Sequence, residues 1–177
     1  MPQELKLTAL GEKLRRACDE VLELPQLRPE FNDKGNLVRT WCNVGVHEIC
    51  SRMGINDFSD EKGKGAICAN AIVEWCVGDG SWMEVKTKDG KPDHEEANRL
   101  ACNGVVVIAG KKQFPHGHVA VVYPGGMVKS GGWGAWVPRV ANIGKDKEPR
   151  AAGLNWAFSV KESMPSYYCR KEDVGAV

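Results

Sequence analysis

The spacing of hydrophobic residues changes at Gly104, and that change does most to limit the folds open to this chain. Upstream, apolar residues recur at helical intervals. Leu10, Leu14, Cys18 and Leu22 predict a helix over Leu7–Leu22, ended by Pro25, Pro29 and the Asp33-Lys34-Gly35 turn. A second helix is expected from Thr40, a good N-cap, to Met53; it puts Cys42, Val46, Ile49 and Met53 on one face, with Gly54 as its stop. Ala66–Cys76 carries a broad apolar stripe, and Asp93 followed three residues later by Glu96 has the pattern that caps a fourth helix. Downstream, Val105–Ala109 is a continuous β-branched run, and His118–Tyr123 alternates, with His118, Ala120 and Val122 on one face. Pro124-Gly125-Gly126 reads as a turn into a short strand at Met127–Ser130. Arg139–Ile143, Asn155–Val160 and Tyr167–Arg170 are further strand candidates. Helices first and strands afterwards, joined by hairpins, imply an α+β domain with a largely antiparallel sheet.

The chain's 177 residues suit one domain, residues 1–177, with a core that needs no disulfide staples. Its 24 basic and 23 acidic side chains leave a net charge of +1, which argues against a nucleic-acid binder with a strongly basic face. The apolar runs are too short to cross a bilayer, so no membrane insertion is expected. Met1–Leu10 has no apolar stretch of the kind a secretory signal needs, which implies synthesis in the cytoplasm. Seven cysteines cannot all pair, and they lie among core-forming residues, so most are expected to be reduced and buried; Cys169 remains available to pair with a partner in an oxidising compartment.

Cys42 stands apart from the other cysteines. In the first turn of the expected helix, unpaired N–H groups and the helix dipole favour a thiolate and lower the thiol pKa. Cys68 and Cys76, inside the next expected helix, gain nothing of the kind. His118, directly after Gly117 at the start of a strand, can supply the base for nucleophilic attack on an amide carbonyl. Such a pair usually has a third group to orient the imidazole, and Asn142, Ser130 and Asn155 are the candidates on neighbouring strands. His116-Gly117-His118 also puts two imidazoles on one strand face. With four histidines in all, no Cys-x-x-Cys and no His-Glu-x-x-His, neither a metal nor another cofactor is implied.

Four stretches together resemble the papain-like NlpC/P60 and CHAP cysteine amidases, which cut amide bonds of peptidoglycan. They are Thr-Trp-Cys42-Asn-Val-Gly-Val, Ala-Asn-Ala-Ile-Val (69–73), Asn-Gly-Val-Val-Val-Ile-Ala-Gly (103–110) and Gly-His118-Val-Ala-Val-Val-Tyr-Pro-Gly. The resemblance spans about Asn36 to Gly144. It is similar in part to type VI secretion amidase effectors and in part to phage cell-wall hydrolases. It implies a papain-like α+β fold with Cys42 as nucleophile, His118 as base and Asn142 as the orienting group. The family pattern also places an oxyanion donor a few residues before the nucleophile, which makes Asn36 the candidate beside the Cys42 backbone N–H. The implied substrate is the peptide stem of peptidoglycan, acted on in the periplasm or cell wall after delivery by a secretion system or phage lysis machinery, by a monomer with a cognate immunity protein as a further partner. Two other classes fit the same residues: a cysteine peptidase acting on proteins, and a catalytically inactive peptide-binding module.

Overall fold

The computed structural model describes residues 5–60, 63, 65–144, 149–158 and 164–176. The elements run α1 (Ala9–Leu22), β1 (Glu30–Phe31), β2 (Leu37–Arg39), α2 (Cys42–Arg52), α3 (Ala69–Gly78), β3 (Trp82–Glu84), α4 (His94–Cys102), β4 (Ile108–Lys111), β5 (His118–Ser130), β6 (Ala135–Asn142), β7 (Arg150–Gly153), α5 (Leu154–Ala157), β8 (Ser166–Arg170) and α6 (Lys171–Val174). The chain is therefore α+β. Six strands form one sheet in the order β3-β8-β4-β5-β6-β7, every neighbouring pair antiparallel, while β1 and β2 make a separate hairpin.

β5 organises the molecule. Helices α1, α2 and α4 all pack against it, and β4 and β6 flank it. The apolar run Val105–Ala109 enters the middle of the sheet fully buried, alongside Val119–Val122. Burying one such Val or Ile side chain stabilises the fold by roughly 1.5–3 kcal/mol, which is why this run is driven inside. Local signals start two helices: the Thr8 hydroxyl accepts the Gly11 N–H at α1, and the Asp93 carboxylate accepts the Glu96 N–H at α4. Gly104 ends the α4 connection at φ +91°, where a Cβ would lie 2.3 Å from that of Leu10.

Several expected boundaries move. Pro124-Gly125-Gly126 does not turn the chain into a new strand. Pairing with β6 runs from Tyr123↔Arg139 to Val128↔Val137, so the segment is a bulge in one long strand, with Gly125 at φ +144°. The reversal comes later, at residues 131–134, where the Ser130 hydroxyl accepts the Trp133 N–H. Asn155–Val160 is not a strand within the described residues, because Leu154–Ala157 form a short helix; 159 and 160 lie outside them. The third helix starts at Ala69 rather than Ala66, which leaves Cys68 exposed at its N-cap position. Cys169 is fully buried in β8, so the pairing with a partner that the sequence left open has no exposed thiol to use. No helix among the described residues is long and apolar enough to cross a membrane.

Candidate active site

Cys42 is the first residue of α2, and a turn of chain leading out of β2 delivers it there. The expected cap, Thr40, does not cap. Trp41 occupies that position without a side-chain hydrogen bond. The Thr40 hydroxyl and the backbone N–H groups of Val119, Asn43 and Cys42 itself instead lie around the Cys42 sulfur as dipoles that favour its thiolate. The Val119 contact ties the start of α2 to the start of β5, one residue from His118. The body of α2 is seated against the same end of the sheet, since a Cβ on Gly45 would lie 2.2 Å from Ile143 Cδ1.

These donors do not lower the thiol pKa as the helix start suggested. Cys42 is 5% exposed, and burial pushes the thiol above its ordinary value against the opposing pull of the four donors. Desolvation wins because packing against β5 removes water from the sulfur. Cys42 is therefore a neutral thiol at neutral pH unless a base takes its proton.

His118 and Asn142 come together at the β5–β6 edge. Register pairs Val121 with Ala141, and continuing it puts Asn142 opposite Ala120 and Gly144 opposite His118, all on one face. A Cβ on Gly144 would lie 3.0 Å from His118 Cε1, 3.5 Å from its Nε2 and 3.1 Å from Asn142 Oδ1. The imidazole also lies against the Phe158 ring, with centroids 5.0 Å apart, and Asn142 is buried. The two other residues considered for the third position are not placed there. Ser130 closes the turn at the far end of β5, and Asn155 lies in α5.

A cavity of about 520 Å³ opens over the thiol. Its walls are β2, the start of α3 and the loop from β4 to β5, and Thr40, Asn43, Asn70 and His116 are among its polar lining. His118 is not among the lining residues; its chain neighbours His116 and Gly117 are. Asn70 shapes the loop wall. Its Nδ2 donates to the Gln113 carbonyl at 3.0 Å and its Oδ1 accepts the Gln113 N–H at 3.2 Å, and its side chain fits only because residue 117 is glycine. Cys68, read as a helix-interior residue, lies exposed in the lining at the start of α3.

Asn36 does not reach this site. It sits exposed at the tip of the β1–β2 hairpin, where its N–H donates to Asn32 Oδ1 and its carbonyl accepts the Asn32 N–H. Around the sulfur, the helix-start N–H groups of Cys42 and Asn43 are the ones the sequence pointed to, while the Thr40 hydroxyl and the Val119 N–H are additions that it did not single out. The charged run Lys145-Asp146-Lys147, a solvated loop by its sequence, lies outside the described residues. No group of three or more His, Cys, Asp or Glu side chains among the described residues is placed to hold a metal ion. No family model matches the chain, and a search of curated proteins gave no match either.

Proposed function

We propose that this protein is a papain-like cysteine amidase that cleaves amide bonds in the peptide stems of peptidoglycan. The observation that carries the proposal is Cys42 at the first position of a helix, its sulfur beside the Val119 N–H one residue from His118, at the floor of an open cleft. The neutral thiol sets the form of the reaction. Sγ attacks the amide carbonyl carbon while the His118 imidazole takes the thiol proton, so the base acts during attack rather than from a standing thiolate–imidazolium pair. Backbone N–H groups at the α2 start stabilise the oxyanion. The amine leaves with the proton returned by His118, and water then hydrolyses the thioester. Asn142, beside the imidazole across Gly144, orients His118.

The resemblance to secretion-system effectors and phage cell-wall hydrolases supports delivery to the periplasm or cell wall, where a cognate immunity protein would cover the cleft. The buried thiol favours one alternative, a peptide-binding module of the same fold without turnover. Digestion of purified sacculi by the wild type, Cys42→Ala, His118→Ala and Asn142→Ala separates them. Stem fragments from the wild type, lost in Cys42→Ala and His118→Ala and reduced in Asn142→Ala, are expected. Intact sacculi from every protein, with casein cut by the wild type, would point to a protein peptidase; intact sacculi and casein would leave the binding module.

A further inference from the structure

The cleft over Cys42 carries a lopsided charge. Among the described residues that line it, Arg39 holds the one permanent charge, and none is a carboxylate. Arg39 closes β2, three residues before the thiol, so its side chain and the sulfur belong to the same short stretch of chain. The guanidinium is oriented but not consumed. It lies over the Trp41 ring at 5.1 Å from the centroid, and its ion pair with Glu30 is 3.9 Å long between half-exposed side chains. A long, hydrated pair of that kind is weak, whereas a carboxylate meeting the guanidinium fork head-on makes two short charge-assisted hydrogen bonds. The cation–π contact with Trp41 holds the guanidinium near this position, which cuts the ordering cost of making them. On the same face of β2 as Arg39, Leu37 is 42% exposed and offers an apolar contact to an extended peptide.

We propose that Arg39 determines specificity at this site by holding a carboxylate of an acidic peptide beside the scissile amide. The inference deepens the amidase reading and rests on it for the position of the scissile bond. Arg39 positions substrate and takes no part in bond making.

The test uses synthetic peptidoglycan stem peptides in which each carboxyl group is in turn left free or converted to the carboxamide. Equilibrium binding is measured calorimetrically on Cys42→Ala protein, which removes turnover, with Arg39 intact or replaced. One amidation is expected to weaken binding by about tenfold to a hundredfold, as the loss of a charged hydrogen-bonding partner does. Arg39→Ala should erase that difference between acid and amide, and Arg39→Lys should restore only part of it, since an ammonium keeps the charge without the fork. With Cys42 present, Arg39→Ala should raise KM for the acid peptide and leave kcat nearly unchanged. The proposal is overturned if no peptide binds, if no single amidation weakens binding, or if Arg39→Ala keeps the acid–amide difference. The amidase reading fails separately if the wild type shows Arg39-dependent binding of the acid peptide yet cleaves none of the series.

Discussion

Gly117→Ala is the sharpest test of how the cleft wall is built. A Cβ at residue 117 would lie 2.2 Å from Asn70 Oδ1 and 2.6 Å from the Lys111 backbone carbonyl. The Asn70 side chain must then leave, and it takes both hydrogen bonds to Gln113 with it. These bonds are partly solvated, so together they cost about 1–2 kcal/mol. The Lys111 carbonyl belongs to β4 and cannot swing aside, and overpacking of this kind adds about 1–3 kcal/mol. A net loss of roughly 2–5 kcal/mol lowers Tm by roughly 4–20 °C in a chain of this size. Differential scanning calorimetry of Gly117→Ala beside Gly126→Ala measures it, because nothing lies within 4 Å of a Cβ at residue 126 and its φ is not positive. Asn70→Ala combined with Gly117→Ala should destabilise less than the two single changes added together, since the lost hydrogen bonds to Gln113 are counted once in each. A Tm for Gly117→Ala within about 1 °C of wild type would refute the close-packed wall, given the expected shift.

Three further outcomes follow from the same structure. Burial pushes the thiols of Cys18, Cys50, Cys76 and Cys169 up, Cys169 to about 12, so the folded chain keeps protons that the unfolded chain releases near the ordinary value of 9.0. Stability is therefore full below that value and falls as pH rises above it, by about 1.4 kcal/mol per pH unit for each thiol; urea midpoints that stay level between pH 8 and 10 would sink this. Asp93→Ala removes the acceptor of the Glu96 N–H and should cost about 0.5–2 kcal/mol in denaturant unfolding, while Asp93→Asn, which keeps an acceptor oxygen, should cost less. Gly144→Ala presses on His118 Cε1 and Asn142 Oδ1 together, so kcat for sacculus digestion should fall several-fold with the far-ultraviolet circular dichroism unchanged; wild-type turnover would argue that this edge does not position the base.

How much was legible in the sequence can be argued residue by residue. Asp93 and Glu96 marked a helix start because a cap is made within four residues of chain and needs nothing distant. The β-branched run Val105–Ala109 and the alternation from His118 were readable because hydrophobic period reports which faces are buried. Cys42 at a helix start, His118 on a strand and Asn142 near it in a neighbouring strand were also within reach, since each depends on local pattern or on adjacent strands in a hairpin.

What the tertiary structure decided was everything set by partners far along the chain. Pro124-Gly125-Gly126 is a bulge because β6 goes on pairing beyond it, which no local turn rule reports. Thr40 turns from cap to sulfur donor, and Asn36 stays at an exposed hairpin tip, because the β1–β2 hairpin carries the chain past the site before α2 begins. Asn70 becomes a cleft wall only because Gly117, 47 positions away in sequence, leaves room for it. The ionisation of Cys42 was decided the same way. A helix N-terminus lowers a thiol pKa when water still reaches it, but burial against β5 removes that water, and desolvation outweighs the four donors that the local chain and Val119 supply. Secondary structure is a property of short stretches, whereas the polarity around a reacting atom is a sum over everything packed against it.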